Sequence, residues 1–92
     1  MTKFVPLTTN ATDAPVLLID SNRPYLELQE CAEQRLSTAR ALLWSLSSMV
    51  ITHADGRDVN HLADAAYLLL EDASDLFQAA RQAALREEVK RE

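Results

Sequence analysis

Long helices are the main expectation from this sequence, because the residues that break helices are confined to two places. The chain has one glycine, Gly56, and its three prolines, Pro6, Pro15 and Pro24, all precede Tyr25. Ala and Leu, which are strong helix formers, dominate the sequence after Tyr25. We therefore predict an N-terminal arm followed by two long helices that meet near Gly56.

The predicted arm, residues 1–22, differs in composition from the rest of the chain. It contains β-branched and turn residues and one short apolar run, Val16 to Ile19. A run of this length is compatible with a short strand or with an extended segment packed on a helix. We predict the extended segment, because no second strand is recognisable as its partner.

The first helix is predicted over residues 23–52. Ser21 or Asn22 is expected to cap it, since their side chains accept hydrogen bonds from the free amides of the first turn. Pro24 is tolerated in that turn. Apolar residues then recur every three or four positions, which is typical of one buried helical face. These residues are Leu28, Cys31, Ala32, Leu36, Ala39, Leu42, Leu43, Leu46, Met49 and Val50.

A tight turn is predicted over residues 53–58, and the second helix over residues 59–90. Gly56 is suited to the left-handed conformation that ends a helix, and Asp58 is expected to cap the next helix. Apolar residues of the second helix alternate steps of three and four, the spacing of a packing seam. They are Val59, Leu62, Ala66, Leu69, Ala73, Leu76, Ala80 and Ala83.

The predicted fold is all-α, an antiparallel helical hairpin of residues 23–92 with an extended N-terminal arm of residues 1–22. A turn at Gly56 places Ala32 near Ala80 and Ala39 near Ala73. Small residues on both sides of the seam let the helices approach closely. The same register predicts three sets of ion pairs, namely Arg40 with Glu71 and Asp72, Arg35 with Asp75, and Glu30 with Arg81.

The hairpin carries more apolar residues than one seam can bury. They lie beside the seam and near the turn, and an exposed patch of this extent favours association. We predict a homodimer that forms a four-helix bundle, with the arm as a further means of cover. The predicted interface residues are Leu36, Leu43, Trp44, Val50, Tyr67, Leu68, Leu70 and Phe77.

The charge of the chain limits its partners. A net charge of -5 disfavours nucleic acid and anionic membranes, since both require clustered Lys and Arg. A basic protein surface is the more compatible partner. The predicted docking face is a set of acidic residues on the second helix, Asp64, Glu71, Asp72 and Asp75.

The sequence predicts a cytoplasmic protein that does not cross a membrane. Cys31 is the single cysteine, which leaves no internal disulfide, and we expect it to pack in the apolar face. The first ten residues lack the apolar core of a signal peptide. The longest unbroken apolar run, Ala65 to Leu70, is far shorter than a membrane span.

Two pairs of acidic residues favour one alternative function. Glu27 with Glu30 and Asp72 with Asp75 resemble the carboxylate pairs with which all-helical nucleotide hydrolases hold Mg²⁺. The predicted register places the two pairs several helical turns apart. We therefore expect these residues to be a helix N-terminal pair and part of a solvated face, respectively.

Other reactive residues do not form a recognisable site. His53, Asp55, Asp58 and His61 are chemically suitable for zinc or nickel, but their spacing matches no metal motif. The serines have no Ser-His-acid grouping, and no glycine-rich loop is present to hold a phosphate. The sequence predicts no catalytic residue, no metal and no cofactor.

Two stretches of the chain carry a resemblance. Residues 31–43 read CAEQRLSTARALL, and after a short turn residues 61–73 read HLADAAYLLLEDA. This order resembles a group of short uncharacterised two-helix proteins of gammaproteobacteria and their prophages, in which an extended, partly apolar segment precedes two amphipathic helices. The resemblance implies a bacterial or phage setting, in which a small acidic helical protein often works by binding another protein.

The functional prediction is a non-enzymatic protein-interaction module, a bacterial or phage regulator or inhibitor that binds a protein partner. Two alternatives stay open. One is a small metal-dependent nucleotide hydrolase that uses the four carboxylates named above, and the other is a structural subunit that assembles only with itself.

Overall fold

Two long helices and a small sheet make up the protein. The computed structural model describes residues 3–48 and 56–91. In chain order the elements are β1 (Phe4–Pro6), β2 (Leu18–Asp20), α1 (Tyr25–Ser48) and α2 (Gly56–Arg91). The two helices pack against each other, so the prediction of a helical hairpin is confirmed.

The arm forms a β-hairpin rather than the unpaired extended segment that we predicted. β1 pairs antiparallel with β2, and Val5 lies opposite Ile19. Sequence reasoning missed β1 because it is three residues long and ends in Pro6, which cannot donate a backbone hydrogen bond. Proline is tolerated there because β1 is an edge strand.

Asn10 fixes the loop between the two strands. Its side-chain amide donates hydrogen bonds to the carbonyl oxygens of Leu7 at 2.7 Å and Leu17 at 2.9 Å. Its Oδ1 accepts hydrogen bonds from the amides of Val16 at 3.0 Å and Leu17 at 2.8 Å. Two donors and two acceptor positions are all that an asparagine side chain offers, so this one residue organises the whole loop.

Helix α1 begins later than predicted, at Tyr25. The carbonyl oxygen of Pro24 accepts the first two helical hydrogen bonds, at 3.1 and 3.2 Å. Ser21 instead donates its Oγ to the carbonyl oxygen of Lys3 at 2.6 Å and thereby ties β2 to β1. The prediction that Ser21 caps this helix is therefore wrong.

A residue from the other helix supports the start of α1. The Tyr25 amide donates a hydrogen bond to Glu87 Oε1 at 3.2 Å. A carboxylate near a helix N-terminus is stabilised by the helix dipole and satisfies a free amide. Pro24 has no side-chain oxygen to do this, so α2 supplies the acceptor.

Helix α2 begins at Gly56, three residues earlier than predicted. Gly56 has no left-handed φ, and Asp58 lies inside the first helical turn, where its charge favours the helix N-terminus. The predicted roles of Gly56 as a left-handed turn residue and of Asp58 as a cap are therefore wrong. Predictions for Met49, Val50, Thr52, His53 and Asp55 lie outside the described residues.

The seam between α1 and α2 consists of alanine, as predicted. Six alanines are each at most 2% exposed: Ala32, Ala39, Ala66, Ala73, Ala80 and Ala83. Leu36, Leu42, Leu46 and the larger seam residues of α2 are half-buried. The contact between Tyr25 and Glu87 agrees with the predicted antiparallel register.

The exposure of Cys31 and the ion pairing beside the seam differ from the predictions. Cys31 is exposed rather than packed in the apolar face. Among the described residues, no salt bridge to α2 forms at any of the three predicted α1 positions. These positions are Glu30, Arg35 and Arg40. Exposed ion pairs contribute little free energy, so they do not determine side-chain positions.

The core of the described chain is small. Ile19 and Leu28 pack with Ala79, Ala80 and Ala83, and no large side chain is fully buried among the described residues. The molecule measures 59 × 29 × 12 Å, with a radius of gyration of 16.5 Å. A compact chain of this length has a radius of gyration of about 12 Å, so this fold is a flat, elongated layer.

Candidate functional site

The arm is attached to α2 through the acidic face that we predicted for a partner. The amide and Oγ1 of Thr8 donate to Asp75 Oδ2 at 2.8 and 2.9 Å. Thr9 Oγ1 donates to Asp72 Oδ1 at 2.7 Å. These hydrogen bonds to charged acceptors are of the stronger kind. Asp72 and Asp75 therefore hold a segment of their own chain.

The other two residues of the predicted acidic face remain accessible. Asp64 is exposed and Glu71 is half-buried. The exposed Tyr67 and Leu68 lie between them in sequence, at spacings that place all four on one side of α2. The part of this face that is open to a partner is therefore shorter than predicted and includes two large apolar side chains.

Most of the predicted interface residues are open to solvent to a substantial degree. Trp44 is 72% exposed, Tyr67 61%, Leu68 48% and Leu43 42%. Leu36, Leu70 and Phe77 are half-buried, and Val50 lies outside the described residues. In the described chain these side chains are incompletely covered, as the prediction of an interface requires.

Helix geometry distributes these residues over more than one side of the hairpin. Successive residues of an α-helix are about 100° apart. Phe77 and Leu70 are therefore on the side of α2 away from Asp75 and Asp72, where the arm docks. Leu68, by contrast, is on the same side as Asp72. Trp44 is rotated away from Leu43 and lies on the outer side of α1.

We call the side of the hairpin away from the arm the bare face. It contains Leu36 and Leu43 from α1, which are seven residues apart, and Leu70 and Phe77 from α2, which are also seven apart. Leu36, Leu70 and Phe77 line a shallow depression of about 340 Å³, whose other lining residues are Ala73, Ser74, Gln78 and Arg81. The bare face is thus an apolar strip along both helices, beside the alanine seam, and polar residues of α2 border it.

The four carboxylates of the predicted hydrolase alternative do not form a metal site. Arg23 binds both carboxylate oxygens of Glu27, at 2.7 and 2.8 Å, and the hydrogen bond to Glu27 raises the pKa of Arg23 above its ordinary value. Asp72 and Asp75 accept hydrogen bonds from the arm. The described residues include no group of three or more His, Cys, Asp or Glu that could hold a metal ion.

The remaining candidates for chemistry are isolated on the surface. Asp58 and His61 are both exposed near the start of α2. Ser47 Oγ and Ser48 Oγ donate to the carbonyl oxygen of Trp44, at 2.8 and 3.0 Å, which is an ordinary interaction of serine within a helix. These contacts give neither serine a basic partner.

A groove with a volume of about 680 Å³ lies between the arm and α2. Its arm side runs from Lys3 to Thr8, and its α2 side runs from Asp75 to Arg86. Two glutamines of α2, Gln78 and Gln82, lie along its floor. We call this cavity the arm groove.

The chain matches no protein-family model, no curated protein and no solved structure. The resemblance to short bacterial and prophage proteins therefore stays a prediction. Within residues 3–48 and 56–91, no helix is long and apolar enough to cross a membrane.

Sequence reasoning missed the residues that attach the arm. Thr8, Thr9 and Asn10 form a short polar run between two apolar segments, which is a turn signal. That signal predicts a loop but not its docking site. Their contacts with Asp72 and Asp75 join residues more than sixty positions apart, and a single sequence gives no pairing information at that distance.

Proposed function

We propose that this chain is a non-enzymatic protein-interaction module that works as a homodimer and binds a protein partner. The observation that carries the proposal is the bare face, where Leu36, Leu43, Leu70 and Phe77 form an apolar strip that the arm does not cover. A partly exposed strip along two helices is typical of a bundle interface.

The small core supports the same proposal. Buried side chains of the described residues are mostly alanine, and alanine burial contributes less to stability than leucine or phenylalanine burial. Two bare faces related by a twofold axis would bury Phe77 and Leu70 against the same residues of a second copy. The product would be a four-helix bundle with the two arms on its outer sides.

We assign partner binding to the accessible acidic and apolar residues Asp64, Tyr67, Leu68 and Glu71. This surface lies on α2 between its first turns and the docked arm, so it stays open when the bare face is buried. Its carboxylates favour a basic partner surface, and Tyr67 and Leu68 supply apolar contact area. A role as a bacterial or phage regulator or inhibitor rests on the resemblance of residues 31–43 and 61–73.

Sedimentation equilibrium at micromolar concentration tests the dimer. We expect twice the chain mass for the natural sequence and a shift towards monomer for Leu43→Glu, which places a charge in the bare face. Leu26→Glu is the matched control, since Leu26 is on the same helix and 67% exposed but away from that face. A natural chain that sediments as a monomer at these concentrations overturns the dimer.

A further inference from the structure

The arm groove has an unusual charge for this acidic protein. Lys3, Arg81 and Arg86 line it, against one acid, Asp75. Asp75 already accepts two hydrogen bonds from Thr8. None of the three cations forms a salt bridge among the described residues. Three unpaired positive groups thus face one groove in a chain of net charge -5.

The dimensions of the groove match an extended peptide. The α2 side, from Asp75 to Arg86, is about 16 Å long at 1.5 Å per helical residue. The arm side, from Lys3 to Thr8, is about 16 Å long at 3.3 Å per extended residue. The two walls are therefore of equal length, and that length corresponds to about five residues of an extended chain.

The lining of the groove favours an organic ligand over a bare inorganic ion. Val5, Pro6 and Ala79 contribute apolar surface, and Gln78 and Gln82 contribute amides that both donate and accept hydrogen bonds. The volume of about 680 Å³ is far larger than a phosphate ion requires and lies in the range of pockets for larger ligands. Thr8 and Asp75, which are hydrogen-bonded to each other, also line the groove.

We propose that the arm groove binds an acidic segment of a protein partner in extended conformation, with its carboxylates paired to Arg81, Arg86 and Lys3. Guanidinium groups bind carboxylates through two parallel hydrogen bonds, and the backbone of an extended segment offers donors and acceptors to the two glutamines. The inference deepens the proposed function, because it gives the chemistry of one partner segment, but it does not require dimerisation.

The test uses a capped, fluorescein-labelled hexapeptide of alternating glutamate and valine, titrated with the full chain and followed by fluorescence anisotropy. We expect saturable binding that weakens as salt is added. The same peptide with glutamine in place of glutamate should bind at least about tenfold more weakly. Equal binding of the two peptides overturns the proposal.

Two charge reversals locate the binding. Arg86→Glu should weaken binding of the glutamate peptide at least about tenfold, whereas Arg40→Glu, an equal charge change on the exposed side of α1, should have a much smaller effect. If both variants lose the same affinity for the glutamate peptide, the peptide is attracted by overall charge. That result would overturn the groove as the binding site. Arg81→Gln, which keeps the helix propensity, repeats the test should Arg86→Glu disturb the end of α2.

Inorganic phosphate and sedimentation complete the experiment. Phosphate at millimolar concentration should leave the peptide bound. If phosphate displaces the peptide completely, the groove is a small-anion site and the proposal of a peptide site is overturned. The Arg86→Glu chain should keep the sedimentation behaviour of the natural chain. Peptide binding by a chain that sediments as a monomer would support the groove while refuting the dimer, so the two proposals fail separately.

Discussion

The two sides of the helical hairpin are built from similar residues but are covered differently. On one side the arm packs Ile19 against Leu28 and the alanines of α2 and attaches its loop to Asp72 and Asp75. On the bare face, Leu36, Leu43, Leu70 and Phe77 receive no such cover. The arm therefore supplies apolar cover to one side of the hairpin and not to the other.

The two sides of the hairpin also differ in the kind of contact that they offer. The β-hairpin packs on one side of the two-helix layer and does not cover the bare face. The covered side is fixed by polar contacts at defined positions, whereas the bare face offers only apolar area. An exposed apolar surface of this kind is what the proposed dimer would bury.

The largest expected loss of stability comes from a substitution on the side that the arm covers. Ile19→Ala should lower the free energy of unfolding by about 2 to 4 kcal/mol, because Ile19 is 6% exposed and its removal leaves a cavity between the arm and the helices. Urea denaturation followed by circular dichroism measures this. Leu17→Ala, in the same arm but 55% exposed, should change the value by less than about 0.5 kcal/mol. Similar losses from both variants would mean that the arm is not docked as described.

A second variant, Phe77→Ala, distinguishes the two sides because its effect on stability should depend on protein concentration. Phe77→Ala should cost about 1 to 3 kcal/mol where the natural chain is dimeric, because burial by a second copy is linked to folding. The difference from the natural chain should shrink on dilution, while the effect of Ile19→Ala should not. Thermal melts at a series of protein concentrations provide the measurement. A loss for Phe77→Ala that is independent of concentration would show that the bare face is stabilised within one chain.

The smallest effect concerns the attachment of the arm. Asp75→Ala removes the acceptor for both hydrogen bonds of Thr8 and should cost about 1 kcal/mol, since the contact is partly exposed. Hydrogen exchange should accelerate most at the amides of Thr8 and of the adjacent Leu7. Asp64→Ala, which removes an equal charge from the same helix without touching the arm, serves as the control. If both variants leave the arm amides equally protected, the contact with Asp75 does not hold the arm.

The helical part of the fold was predictable because periodicity and propensity are local properties. The alanine seam from Ala32 to Ala83 follows from spacing alone, and its burial is confirmed. Helix boundaries were less predictable, because they depend on contacts across the structure. Tyr25 begins a helix with the help of Glu87, a residue that no local rule connects to it.

The sequence predicted which apolar and acidic residues lie outside the seam, but not which of them share a side of the helices. The sequence indicated correctly that Leu43, Trp44, Tyr67 and Leu68 are apolar residues beyond the seam, but it grouped them with residues on other sides of the helices. Asp72 and Asp75 were assigned to a partner, whereas the arm uses them. The arm groove was not predicted, since its walls come from residues 3–8 and 75–86, which only the folded chain brings together.

The contact between Thr8 and Asp75 also bears on how this protein is made. The two residues are 67 positions apart, and a ribosome adds about 5 to 20 residues per second, so roughly 3 to 13 seconds separate their synthesis. During that interval the arm loop lacks its acceptors on α2, and Ile19 lacks the alanines of α2 that complete its packing. The arm is therefore synthesised early, but its loop can be attached to α2 only after Asp75 has been made.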